Sequence, residues 1–291
     1  MHFSQFPSDK ENEWYFPASV GICDERKRET MEKAVSIQAM FTDLPFYERF
    51  GKARRAGFSL VEFGDWTKLD LSRVTEELAA HALGLWAITG ADTFSLTDPD
   101  TRGGFLEYLS QSIAVAKSFG CRNLIIQSAD KDDDTAEFNT EPTESADFTS
   151  RAAATRTLME AAQKAERAGV TLFLKPAPML AGSLSYLHTN SSAGSVVKVI
   201  NSPALRLLFD ISLMRKMEDD IVSTFRRYKD YIRYVHIGDA NDSLPADCGE
   251  ANLRLIKTAL EKDLAYDGAV GFVFNAGRNE QLCLNEIAAV F

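Results

Sequence analysis

The groups able to do chemistry in this 291-residue chain gather at the ends of short apolar runs. Glu62 closes one such run, Lys175 and Asp210 each directly follow one, and His236 lies within another. Asn275 and Arg278 come just after a fifth, and Glu250 stands ahead of a helical pattern. Carboxylates, imidazoles and amines are the side chains that move protons. A desolvated lysine can also act as a Schiff-base nucleophile, because burial lowers its pKa toward neutrality. Each residue has a plainer reading beside the chemical one. Glu62 suits a salt bridge as well as a pocket, His236 a satisfied barrel histidine as well as a substrate donor. Asp210 is either a pocket acid or an ion-pair partner. Arg278 is an anion anchor or a surface residue, and Asn275 donates hydrogen bonds but is no acid or base. Trp66 and Trp86 form either an apolar pocket wall or core.

The elements that must hold these groups alternate. From residue 35 onward, short β-rich runs are each followed by a longer pattern of helical period, which is the signature of parallel βαβ units. The patterning predicts strands at 35–40, 60–63, 85–88, 124–127, 170–174, 205–209, 232–237 and 269–274. It predicts helices at 44–56, 71–82, 105–119, 146–168, 195–200, 221–231, 253–262 and 280–290, with Gly57, Gly120 and Gly169 as stops. Eight such units close a (β/α)8 TIM barrel of the α/β class over 35–291, behind an N-terminal extension at 1–34. The carboxyl ends of the strands are then the mouth. The acidic stretch 128–149 follows a strand at that end, so it reads as a lid or as a solvated loop.

Bulk properties narrow the function. A formal charge of -10 repels phosphate backbones and counts against nucleic acid as partner. No apolar run approaches the roughly 18 residues of a membrane span. Cys23, Cys121, Cys248 and Cys283 show no CxxC or CxxxH spacing, so neither zinc nor a disulfide framework is expected, and reduced thiols in the cytoplasm fit best.

The segment "VSIQAMFTDLPFYERFGKARRAGFSLVEF" resembles the opening of hydroxypyruvate isomerases, within the wider xylose isomerase-like barrel superfamily. "AERAGVTLFLKP", "SPALRLLFDISLMRKMEDD", "YIRYVHIGD", "CGEAN" and "YDGAVGF" continue the likeness in order, over residues 35–278. The resemblance implies a divalent metal at the mouth, held by a Glu after strand five, an Asp after strand six, a His or Gln on strand seven and a Glu on strand eight. Asp210 and His236 stand at two of those positions, Lys175 and Val273 at the other two. Leu213 stands where the family has a histidine, and Ser243 and Leu244 where it has an Arg-His pair, while Gly249 and Glu250 match. The family also implies a homodimer.

A hard cation needs enough negative charge to offset the hydration it gives up. Here one carboxylate has become an ammonium and another an aliphatic group. The expectation is therefore no cofactor: Lys175 fills the metal's place beside Asp210, as a structural ion pair or as the catalytic lysine. Three readings follow. The chain is a metal-independent relative that takes a small hydroxy- or keto-compound, with Glu62, Trp66, Asp210, His236, Glu250, Asn275 and Arg278 lining its pocket. Or it is a non-catalytic barrel with a binding or regulatory role. Or it is a metal-dependent isomerase or epimerase whose ligands have moved.

Overall fold

In a computed structural model of the chain, eight parallel strands hydrogen-bond in sequence order and the last closes on the first. They are β1 Lys33–Ser36, β2 Leu60–Phe63, β3 Gly84–Ala91, β4 Asn123–Gln127, β5 Thr171–Lys175, β6 Leu205–Asp210, β7 Ile232–Gly238 and β8 Ala269–Val273. The helices are α1 Glu48–Arg55, α2 Leu71–Ala80, α3 Arg102–Ser118, α4 Glu144–Ala168, α5 Asn190–Ile200, α6 Ile221–Tyr228, α7 Glu250–Thr258 and α8 Glu280–Val290. The structure describes residues 31–91, 93–128, 144–177, 186–211, 221–238, 250–274 and 280–291. Residues 1–30 of the expected extension, and 129–143 of the expected lid, lie outside them.

The (β/α)8 barrel read from the patterning is what forms, with local differences at its edges. β1 stops at Ser36 because the Ser36 carbonyl accepts from the amides of Ala39 and Met40, which turns the chain before residue 40. α1 begins at Glu48 rather than 44, after turns that return the amides of Leu44 and Glu48 to Phe41 and Pro45. The acidic stretch is helical from Glu144 on. α5 starts at Asn190, five residues before the pattern suggested, because Thr189 and Ser192 form a reciprocal capping box. Cys283 is disulfide-bonded, against the expectation of reduced thiols throughout, whereas Cys121 is free and buried. No helix among the described residues is long and apolar enough to cross a membrane.

Strand alternation divides the core in two. Val35, Val61, Leu124, Leu172, Leu207, Val235 and Phe272 face outward and pack against the helices. Ala34, Ala87, Ile125, Phe173, Leu208, Tyr234 and Ala269 fill the barrel interior, with Leu60 and Trp86 beside them. Two register shifts set this phase. On β3 the shift places Trp86 opposite no residue of β2, since Leu85 pairs with Val61 and Ala87 with Glu62. On β7 Arg233 is the extra residue between Ile232 and Tyr234, and beyond it Tyr234 pairs with Leu208 and His236 with Asp210. Such bulges re-aim side chains. This one turns Tyr234 and His236 inward while Val235 and Ile237 stay in the outer core.

Candidate functional site

Five polar residues sit one inward step above the interior layer. Glu62 follows Leu60, Gln127 follows Ile125, Lys175 follows Phe173, Asp210 follows Leu208 and His236 follows Tyr234, each by two residues. The two-residue period therefore points all five toward the axis at the carboxyl ends of their strands. Gln127 is in register with Lys175, and Asp210 with His236, so β4 to β7 carry a row of polar groups.

Lys175 Nζ lies 3.4 Å from Asp210 Oδ2, with side chains 21% and 10% exposed. Asp210 is held from behind through its backbone. Asn190, wholly buried at the start of α5, donates Nδ2 to the Asp210 carbonyl and accepts from the Asp210 amide, both at 3.3 Å. Asn190, the first residue of α5, thus ties the start of that helix to the end of β6.

The second group is buried deeper. Glu62 and His236 are 4% and 3% exposed. Glu62 Oε2 accepts from the Tyr234 hydroxyl at 2.7 Å and lies 3.3 Å from His236 Nε2. Burial pushes the Glu62 carboxyl up, but the charge and hydrogen bond of His236, the Tyr234 hydroxyl and the Lys175 charge together outweigh it and hold the pKa below its usual value. Burial and the Glu62 carboxylate keep the Tyr234 phenol well above its own. An ionised carboxylate only accepts, so His236 Nε2 carries a proton and, in the neutral ring, Nδ1 keeps its lone pair. Among the described residues that buried Nδ1 has no hydrogen-bond partner. Gly271 on β8 makes room for the cluster. A Cβ there would collide with the Tyr234 hydroxyl oxygen and meet His236 Cδ2 at 2.9 Å.

Other candidates fall elsewhere. Trp66 stacks on Tyr108 of α3 and donates its indole N–H to the buried Ser112 Oγ at 3.0 Å, so its ring packs on that helix rather than lining the barrel axis. Trp86 packs against Tyr234 in the interior, below the mouth. Glu250 opens α7, and its side chain is outside the described residues, as are Asn275, Arg278, Leu213, Ser243, Leu244 and Gly249. Val273 ends β8 in register with Gly238.

A family model for the xylose isomerase-like TIM barrel matches residues 50–286. The chain belongs to that family. Among its relatives, a ketose 3-epimerase of Arthrobacter globiformis is 28% identical over 228 residues, covering 76% of this chain and 74% of the relative. A putative hydroxypyruvate isomerase of Caenorhabditis elegans is 24% identical over 72% of this chain and 78% of its own. A 2-oxo-tetronate isomerase of Cupriavidus necator is 22% identical over 82% and 90%. Of solved structures, an AP endonuclease, family 2, of Brucella melitensis superposes with a TM-score of 0.73 at 22% identity, covering 87% of this chain and 96% of that one. A 3-keto-D-glucoside 4-epimerase of E. coli gives 0.71 at 18%, covering 90% and 99%. At such identities the structures show the shared fold.

Within this xylose isomerase-like barrel, three residues of the cluster had no place among the sequence candidates. Tyr234 and Gln127 were findable, since they share inward parity with His236 and Ile125 respectively. Asn190 had no such signal, because its partner is a backbone 20 residues away.

Proposed function

We propose that this xylose isomerase-like barrel takes a small hydroxy- or keto-compound at its mouth without a divalent metal, and that Lys175 supplies the positive charge there. One observation carries the reading: the Lys175 ammonium stands 3.4 Å from the carboxylate of Asp210. An oxygen-seeking cation on Asp210 and His236 would be repelled by that ammonium, and the described residues bring no group of three or more His, Cys, Asp or Glu donors together. Among the described residues this donor set supports a mouth that works without a metal. The ammonium also satisfies the rule that a buried carboxylate is kept only when paired.

The site's chemistry supports the substrate class. An ammonium in a partly desolvated mouth attracts a carbonyl or carboxylate oxygen and stabilises negative charge that develops on it. The relatives are named for ketose epimerisation, hydroxypyruvate isomerisation and 2-oxo-tetronate isomerisation. Carried to this chain, those names point to a small polyhydroxy or keto-acid compound. The formal charge of -10 favours such a molecule over a phosphate backbone.

The test is elemental analysis of the full chain purified without chelator, together with Mn²⁺ titration of the wild type and of Lys175→Glu. The expected result is no stoichiometric metal in the wild type and measurable Mn²⁺ binding only in the variant. One equivalent of Mn, Mg, Co or Zn in the wild type would overturn the reading.

A further inference from the structure

We propose that the barrel carries a second binding site, away from its mouth: a cavity between α6 and α7 that takes an uncharged, hydrocarbon-like small molecule, the size of a benzene ring bearing a short alkyl chain. The inference is independent of the reading of Lys175.

Each helix supplies one wall. Ile221, Val222 and Phe225 fall on one side of α6, and Leu255 and Ile256 turn the same kind of surface toward them from α7. Between the two walls, over the outward face of β6, the described residues enclose a cavity of about 250 Å³. Its floor is aromatic. Phe209 and Phe225 are 0% and 2% exposed, with ring centroids 4.9 Å apart at 67°. Every side chain that lines the cavity is apolar. Protein interiors leave few voids larger than a water molecule. A void with no polar group gives water no partner, and one of roughly 150 Å³ already holds benzene.

The backbone explains why the space is open. The helix does not end as an α-helix. Ala259–Asp263 form a π-helical turn, in which the Leu264 amide bonds at 2.9 Å to the Ala259 carbonyl, five residues back. Such turns are rare and frequently mark functional sites. This one places Ala259 in the lining, where its methyl group leaves free what a larger side chain would fill.

The rim selects among occupants. Of the lining side chains, Val222 and Leu255 are the exposed large ones, at 42% and 69%. Two such side chains fall far short of the roughly 800 Å² per partner that a standard protein interface buries, so the opening suits a small molecule and not a second copy of the chain. The lining also discriminates against the hydroxy- or keto-compound of the mouth, because a hydroxyl buried without a hydrogen bond costs about 1–3 kcal/mol.

The test titrates the full chain, ¹³C-labelled at Ile, Leu and Val methyls, with toluene, with n-butylbenzene and with glycerol as a polar control. The expected result is saturable shifts confined to methyls around the cavity, such as those of Ile221, Val222, Ile256 and Leu260, and none with glycerol. The three added CH₂ groups of n-butylbenzene should tighten binding about tenfold or more over toluene. Ala259→Phe should abolish the shifts and Ala259→Leu should weaken them, with folding of both variants checked by circular dichroism. No saturable shift at those methyls in the wild type, shifts spread over the whole surface, or undiminished binding in a folded Ala259 variant would each overturn the proposal. Methyl shifts that follow protein concentration alone would give the cavity to a second copy and overturn it as well.

Discussion

Replacing Glu62 by Gln is the sharpest perturbation of the buried cluster, because it removes one charge and almost no volume. Both partners of Glu62 converge on the same oxygen, Oε2, from the Tyr234 hydroxyl at 2.7 Å and from His236 Nε2 at 3.3 Å. A glutamine amide oxygen in that place can accept from both, so the contacts survive and only the charge assistance is lost. Hydrogen bonds to charged groups contribute about 1.5–3 kcal/mol and neutral ones about 0.5–1.5, a difference of ~1–1.5 for each bond. Counting the 3.3 Å bond at about half strength, Glu62→Gln should destabilise by roughly 1.5–2 kcal/mol at neutral pH. Glu62→Met should cost more, about 2–6 kcal/mol, since it leaves two buried donors unpaired. Urea unfolding of the two variants and of Tyr234→Phe, arranged as a double-mutant cycle, gives the coupling. The sign with pH is fixed: a carboxyl whose folded pKa lies below its unfolded value contributes stability above the unfolded pKa, about 4.3 for Glu, and loses it as pH falls through the folded value. The gap between wild type and Glu62→Gln should therefore be full at pH 7 and close in acid. A gap that widens in acid, or no coupling between positions 62 and 234, refutes the reasoning.

Three further perturbations test the supports of the site. Gly271→Ala should lower stability by about 1–3 kcal/mol, the usual cost of overpacking, and should disturb the tyrosine absorbance of Tyr234, because the new methyl strikes its hydroxyl and the His236 ring. Asn190→Ala removes two backbone bonds at 3.3 Å and should cost about 1–3 kcal/mol by chemical denaturation; an effect within experimental error would show that the end of β6 does not depend on them. Cys121, pushed up by burial from 9.0 to about 11, contributes stability that is whole below pH 9 and is lost as pH rises toward 11. That loss is on the order of 2–3 kcal/mol, so Cys121→Ser should flatten the alkaline limb of the stability curve, and an unchanged limb would assign it to the tyrosines instead.

How far the fold could be read depended on what each element needed. The eight strands were legible because alternation and glycine stops are local signals, and β2 and α8 agree residue for residue with their patterns. The errors lie where a long-range or side-chain bond overrides the pattern, as at the Thr189–Ser192 capping box that starts α5 early. Within the site, Lys175 and Asp210 could be paired on paper, because both directly follow their strands' apolar runs. The Glu62–His236 contact could not, since it joins positions 174 residues apart across the barrel, and its geometry depends on the bulge at Arg233. The surroundings of Trp66 were hidden for a related reason. Its loop sits at the mouth end of β2, but Ser112 of α3 accepts from its indole N–H and Tyr108 offers the ring a stacking face.

The charges at the mouth compensate one another through Lys175. Its ammonium stands 3.4 Å from the Asp210 carboxylate, and its charge also helps hold the Glu62 pKa below the usual value. Desolvation penalises net charge placed in the interior, and removing one partner of a buried pair costs more than the pair itself contributes. Lys175→Met should therefore lower stability by about 1–3 kcal/mol in urea unfolding. Joining it with Asp210→Asn should recover part of that loss, because the carboxylate charge left behind is then gone as well. No recovery in the double variant would show that the two charges do not compensate each other.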